Sequence, residues 1–147
     1  MFFNNAEYNK IVKKISPPSP KIKDFIYAYV IGGSICVIGQ LFFELYLYLG
    51  LSNKTVKTVV PVTLIFIAAL LTGLKLFDKI AKRAGAGTLV PITGFANAVV
   101  SPAIEFKAEG FVLGVGANMF KIAGPVIVYG TVASVVYGVI YCITTLL

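Results

Sequence analysis

Long apolar runs free of charge alternate along this chain with short clusters of lysine, and the runs are the length of membrane-crossing helices. The first uncharged run begins at Phe25 and predicts a spanning helix over about 25–49, with Gln40 and Glu44 on one face near its end. Lys54 and Lys57 then mark a short loop. A second span is predicted over about 59–76, with Pro61 near its start, where proline is tolerated. The last block, 122–147, carries no charge and predicts a further span that Gly124 and Pro125 open. Gly32, Gly33 and Gly39 in the first span, and Gly124, Gly130 and Gly138 in the last, are candidate helix-packing positions, because small residues let helix backbones approach.

Between these spans the pattern changes. The uncharged stretch 84–104 is long enough to cross a bilayer, yet it contains Gly85, Gly87, Pro91, Gly94 and Pro102 and runs into Glu105, Lys107 and Glu109. Residues 110–120 are again apolar, glycine-rich and short. Two readings stay open. Residues 84–104 cross as a kinked helix, or they dip in and return with a break near Thr93-Gly94 or Ser101-Pro102. In either case 84–120 reads as a pair of half-helices around a charged turn. Broken backbone at membrane depth is tolerated only where protein buries it or where it lines a wet cavity, and such segments point to transport sites. The expected fold is an all-α integral membrane bundle of about three full spans plus this broken segment. Residues 25–147 form one polytopic domain behind a basic arm, 1–24.

In that arm Tyr8, Ile11, Val12 and Ile15 recur at helical spacing among lysines, which suits a helix lying on an anionic membrane surface or on a partner. The Ser16–Pro20 run then stops any helix. No cleavable signal peptide is expected, since the first apolar run is too long for one. A short echo, Val60-Pro61-Val62-Thr63 against Val90-Pro91-Ile92-Thr93, is no more than chance recurrence supplies.

Composition agrees with the pattern: 58% hydrophobic, 13% charged, mean hydropathy +0.89. The net charge of +7 sits between apolar blocks, which speaks for flanking loops and against nucleic acid. Five lysines in the arm and four basic residues in 75–83, against two in the intervening loop, place the N-terminus and the 75–83 loop on the cytoplasmic side.

The chemical inventory excludes more than it offers. There is no histidine, the two cysteines lie far apart in apolar blocks, and no nucleophile, nucleotide or metal-ligand motif is present. Gly85-Ala86-Gly87 and Gly114-Val115-Gly116 are fragments of phosphate loops without the rest of the fingerprint. No catalytic activity, cofactor or metal site is expected. The candidate pore or substrate positions are Gly85, Gly87, Pro91, Thr93, Gly94, Asn97, Ser101, Pro102, Glu105, Lys107 and Glu109. Half-helix N-termini offer unsatisfied N–H groups and partial positive charge to an anion, Asn97 offers a donor and an acceptor, and Lys107 and Lys121 attract anions. The alternative is that the glycines only pack helices and the charges only anchor a loop in water.

Two long stretches, EYNKIVKKISPPSPKIKDFIYAYVIGGSICVIGQ and LLTGLKLFDKIAKRAGAGTLVPITGFANAVVSPAIEFKAEGFVLGVGANMFKIAGPVIVYG, resemble the SpoVA family of sporulation membrane proteins in endospore-forming bacteria. The resemblance runs from about Tyr8 to Gly130, with AGAGTLVPITGFANAVVSPAIEFKAEG as its most specific part. Ile31–Gln40 and Met119–Gly130 favour the AC branch over the AE branch. Leu74-Lys75-Leu76 departs from the expected pattern in being charged. The resemblance implies a subunit of the spore inner-membrane system that moves dipicolinic acid, a small aromatic dicarboxylate, largely as its calcium chelate. Uptake occurs during sporulation and release during germination, with channel activity linked to membrane tension. Its partners are an AE-like membrane subunit and a soluble AD-like subunit, in a homo- or hetero-oligomer. A second expectation is a structural anchor for other SpoVA subunits with no conduit of its own.

Overall fold

The structure is a computed structural model and describes residues 8, 11, 12, 15 and 22–146. Among these residues it is helical without strands, as the sequence predicts. Tyr8, Ile11, Val12 and Ile15 are helical and exposed, whereas Lys10, Lys13, Lys14 and the Ser16–Pro20 stop lie outside the described residues.

Among the described residues, three helices are long and apolar enough to cross a membrane. The first, α1, is Ile22–Tyr48. It ends in a Schellman motif: Gly50, at φ 86°, donates to Leu47 O and Leu51 donates to Tyr46 O. The second, α2, is Asn53–Gly73 and starts six residues before the predicted span. Lys54 and Lys57 are therefore helical, because Ser52 caps the helix by accepting from Thr55 N at 3.3 Å. A second Schellman motif closes α2, with Lys75 N donating to Thr72 O and Leu76 N to Leu71 O. The left-handed position in that motif is usually glycine; here it is Lys75, at φ 57°.

The chain then turns into a helix that the lysine cluster had suggested was loop: α3, Phe77–Ala84. Phe77 and Ala84 are buried against the bundle while Lys79, Lys82 and Arg83 stay exposed. Asp78 in the first turn and Lys82 and Arg83 in the last suit the helix dipole. Next comes one turn, α4, Ala86–Leu89, followed after Val90-Pro91 by α5, Ile92–Glu105. A 3₁₀ turn at Lys107–Glu109 and a π turn at Phe111–Gly116 lead into α6, Ala117–Leu146.

α5 is the packing centre of the bundle. It lies between α2 and the start of α6, and Ala68, Phe77 and Ala96 meet in a small core with Leu71 and Ala81 around it. α4 instead seats on α1. The second apolar piece, 110–120, is not a separate half-helix: through the π turn it runs straight into the last span, giving one apolar stretch over Phe111–Thr145. Asn118 fixes that junction, its side-chain amide donating to Gly114 O at 2.8 Å. Residues 125–145 of α6 are exposed all round.

Candidate functional site

Two glycines let the broken segment fold back into the bundle. Gly87 lies on α1, and a Cβ there would overlap the carbonyl of Ala28; from the other side, a Cβ on Gly32 would stand 3.2 Å from Gly87 O. Gly94 sits under the α4–α5 elbow, where a Cβ would overlap the carbonyls of Thr88 and Leu89. Gly85, at φ 50°, separates α3 from α4, and its carbonyl accepts from Thr88 Oγ1 at 3.1 Å. Pro91 is the N-cap of α5 and accepts from Gly94 N at 2.9 Å. The echo of this segment in α2 has no structural counterpart, since Pro61 lies inside a continuous helix.

α5 runs in the same sense as α2. Its first turn is level with Leu64 and Ala68, Asn97 meets Thr72, and Ser101 and Glu105 share a cleft with Thr72, Lys75 and Asp78. The helix thus begins half-way along the bundle and ends at the α2–α3 corner. Its 14 residues measure about 21 Å at 1.5 Å per residue, short of the ~30 Å hydrocarbon thickness. Helix N-termini leave their first N–H groups without intrahelical partners. In this first turn Thr93 is also 7% exposed, with no hydrogen-bond partner for its hydroxyl. A buried unpaired hydroxyl costs on the order of 1–3 kcal/mol, so it marks a place where the chain is not optimised for itself.

Asn97 is engaged with α2. Thr72 Oγ1 lies 2.7 Å from Ala68 O and 2.9 Å from Asn97 Oδ1. A hydroxyl has one proton, so it cannot donate to both oxygens. Turning the Asn97 amide lets its NH₂ donate to Thr72 Oγ1 while Thr72 donates to Ala68 O, and both groups are then satisfied. Thr72 and this clamp were not among the residues singled out from sequence; the two are too far apart in the chain for any local pattern to join them. Pro102 lies within α5 and accepts from Phe106 N at 2.9 Å, capping its end.

The charges gather at that end. Glu105 faces the cleft of about 270 Å³ that contains Lys75, Asp78 and Ser101, and Lys107 and Glu109 are exposed on the 3₁₀ turn. Gln40 Nε2 donates to Glu44 Oε1 at 2.8 Å on the exposed face of α1. Of the remaining packing candidates, a Cβ on Gly39 would lie 3.5 Å from Leu64 and one on Gly124 would reach Phe120 of its own helix at 4.0 Å. A Cβ on Gly33, Gly130 or Gly138 would meet no described atom within 4 Å beyond its own helix backbone.

The family profile described as SpoVAC/SpoVAEB sporulation membrane protein matches residues 24–140. The chain belongs to this family. The match takes in α1 to α5 and most of α6, so the broken segment is part of the family's own architecture. A relative in Bacillus subtilis (strain 168), stage V sporulation protein AC, is 46% identical over 134 residues, covering 90% of this chain and 89% of the relative. That relative is of the AC branch, in agreement with Ile31–Gln40 and Met119–Gly130. No solved structure matches the chain.

Proposed function

We propose that the chain is a non-enzymatic membrane subunit of a SpoVA channel in the spore inner membrane. Its cargo is dipicolinic acid, as the calcium chelate, moving in during sporulation and out during germination, with membrane tension as the gating input. Its partners are an AE-like membrane subunit and a soluble AD-like subunit, and its N-terminus and α3 face the cytoplasm. Family membership and the three span-length apolar helices support the membrane-subunit part of this reading.

The observation that carries the transport part is α5. A short helix begins inside the bundle, has a buried unpartnered hydroxyl in its first turn, and ends among Lys75, Asp78 and Glu105. Half-helix N-termini at mid-membrane are how transport proteins handle anions, and the charged groups here lie at the other end of the helix, at the α2–α3 corner. Glu105, with Lys75 and Asp78, sets ionisable groups where this helix ends.

Thiol accessibility tests the reading in the assembled complex, in a background where Cys36 and Cys142 are replaced. Cysteines at Thr93 and Glu105 should react with a membrane-impermeant thiol reagent, and the reaction at Thr93 should slow when dipicolinate is present. An inert cysteine at Thr93, beside a reactive control at Lys107, contradicts a conduit along α5. The anchor reading is favoured by a different observation, the uncovered length of α6, and would then lead.

A further inference from the structure

Under α3 lies a cavity of 240 Å³ between α1 and α2, walled by Ile35, Ile38, Leu64, Leu71, Phe77 and Ile80 among others. Two hydroxyls on its lining are already spent on backbone: Ser34 Oγ donates to Val30 O and Thr88 Oγ1 to Gly85 O. Thr93 forms part of the wall on the α5 side only through carbon, since no polar atom is exposed to the cavity. Ser34, Ile38 and Ile80 are exposed, so the cavity opens sideways between α1 and α3. Apolar cavities of about 150 Å³ stay dry and accept an apolar guest. A larger one that opens toward lipid has room for a length of hydrocarbon chain.

Charge lies on the helix that forms one rim. Ile80 belongs to α3, whose outer face carries Lys79, Lys82 and Arg83, with Asp78 as its only acidic residue. Lys82 and Arg83 line a second cleft of about 410 Å³, with Asp24, Phe25 and Ala28. α3 follows directly on the end of a spanning helix, with its apolar side inward and its cations outward, the disposition of a helix at headgroup level. Basic pockets between helices at that level recognise anionic lipid headgroups.

We infer that this corner holds one anionic phospholipid, with an acyl chain in the α1–α2–α3 cavity and its phosphate on Lys79, Lys82 and Arg83. An uncharged phospholipid fits the cavity without using the cations, and a soluble anion uses the cations without filling the cavity. The remaining occupant is an apolar side chain of a neighbouring subunit.

The chain contains no tryptophan, so a single introduced one reports its own surroundings. Ile38→Trp places it at the cavity rim, and Ser34→Trp is a second rim reporter should the first not fold. Val132→Trp, on the exposed part of α6, reports ordinary lipid contact. The full chain is reconstituted in bilayers containing brominated phosphatidylglycerol or brominated phosphatidylcholine, and fluorescence quenching is measured. The rim reporter should be quenched at a several-fold lower fraction of the anionic lipid than of the zwitterionic one, and Val132→Trp should show no preference. Adding Lys79→Ala, Lys82→Ala and Arg83→Ala should bring the rim reporter down to the Val132→Trp level. Equal quenching by both lipids at the rim overturns the inference, as does a preference that survives loss of the cations. A rim tryptophan that neither lipid quenches overturns it in favour of a protein occupant.

Discussion

Asn97 and Thr72 show how much a single polar pair does inside an apolar bundle. Each would be costly alone among carbon, and together they tie α5 to α2 at one height. Removing both by Thr72→Val and Asn97→Leu should cost less than the sum of the single changes, with a coupling of about 0.5–1.5 kcal/mol. A double-mutant cycle on unfolding of the purified chain in detergent measures it, and additive effects would remove the clamp from the account. Lys75 makes a second residue-scale case. Its left-handed backbone costs a side-chain-bearing residue about 1–2 kcal/mol, so Lys75→Gly should raise stability by about 1 kcal/mol in the same assay. Asn97 stood out in the sequence because a carboxamide in an apolar run needs a reason. Its partner did not, because Thr72 reads there as an ordinary threonine near a helix end.

Among the elements, the long helices were the most legible, since a run without charge admits few structures in a membrane. Their edges were less so. Lys54 and Lys57 looked like loop until Ser52 supplied a cap, and the cations of α3 hid an amphipathic turn whose apolar positions are only Phe77, Ile80, Ala81 and Ala84. The glycines of the broken segment announced irregular backbone but not their contacts, because a close crossing depends on the partner helix. Gly87 touches α1, whereas a Cβ on Gly33, in the same glycine pair as Gly32, would face open space among the described residues. Gly87→Val should therefore destabilise by about 1–3 kcal/mol through overpacking, while Gly33→Val leaves stability unchanged. Comparing the thermal transitions of the two variants in one detergent checks this, and equal effects would mean that α4 does not sit on α1. Gly94→Leu belongs with Gly87→Val: it would meet the carbonyls of Thr88 and Leu89, so a loss of transport in that variant would report folding and not a pore.

For the whole molecule, the telling contrast is between α5, enclosed by neighbours, and α6, whose residues 125–145 are all exposed. Gly130, Ser134 and Gly138 follow one another at four-residue spacing on that bare helix, a spacing that favours close helix–helix contact in membranes. In a background without Cys36 and Cys142, a cysteine at Ser134 should form an intermolecular disulfide under mild oxidation, and one at Val132 should not. Crosslinking of neither would assign this face to lipid. A chain with this small a core and a bare span has little material for a pore and its surrounding shell, which is why the account assigns it to an assembly.

The measurement that bears most directly on the central claim is dipicolinate release from liposomes containing the purified chain, with and without its AE-like partner, under applied tension. The account predicts tension-dependent release by the chain alone or with the partner, reduced at least several-fold by Thr93→Val and by Glu105→Gln but not by Glu109→Gln, at equal protein levels. Absence of release under every condition, or release that none of these substitutions alters, would contradict a conduit along α5.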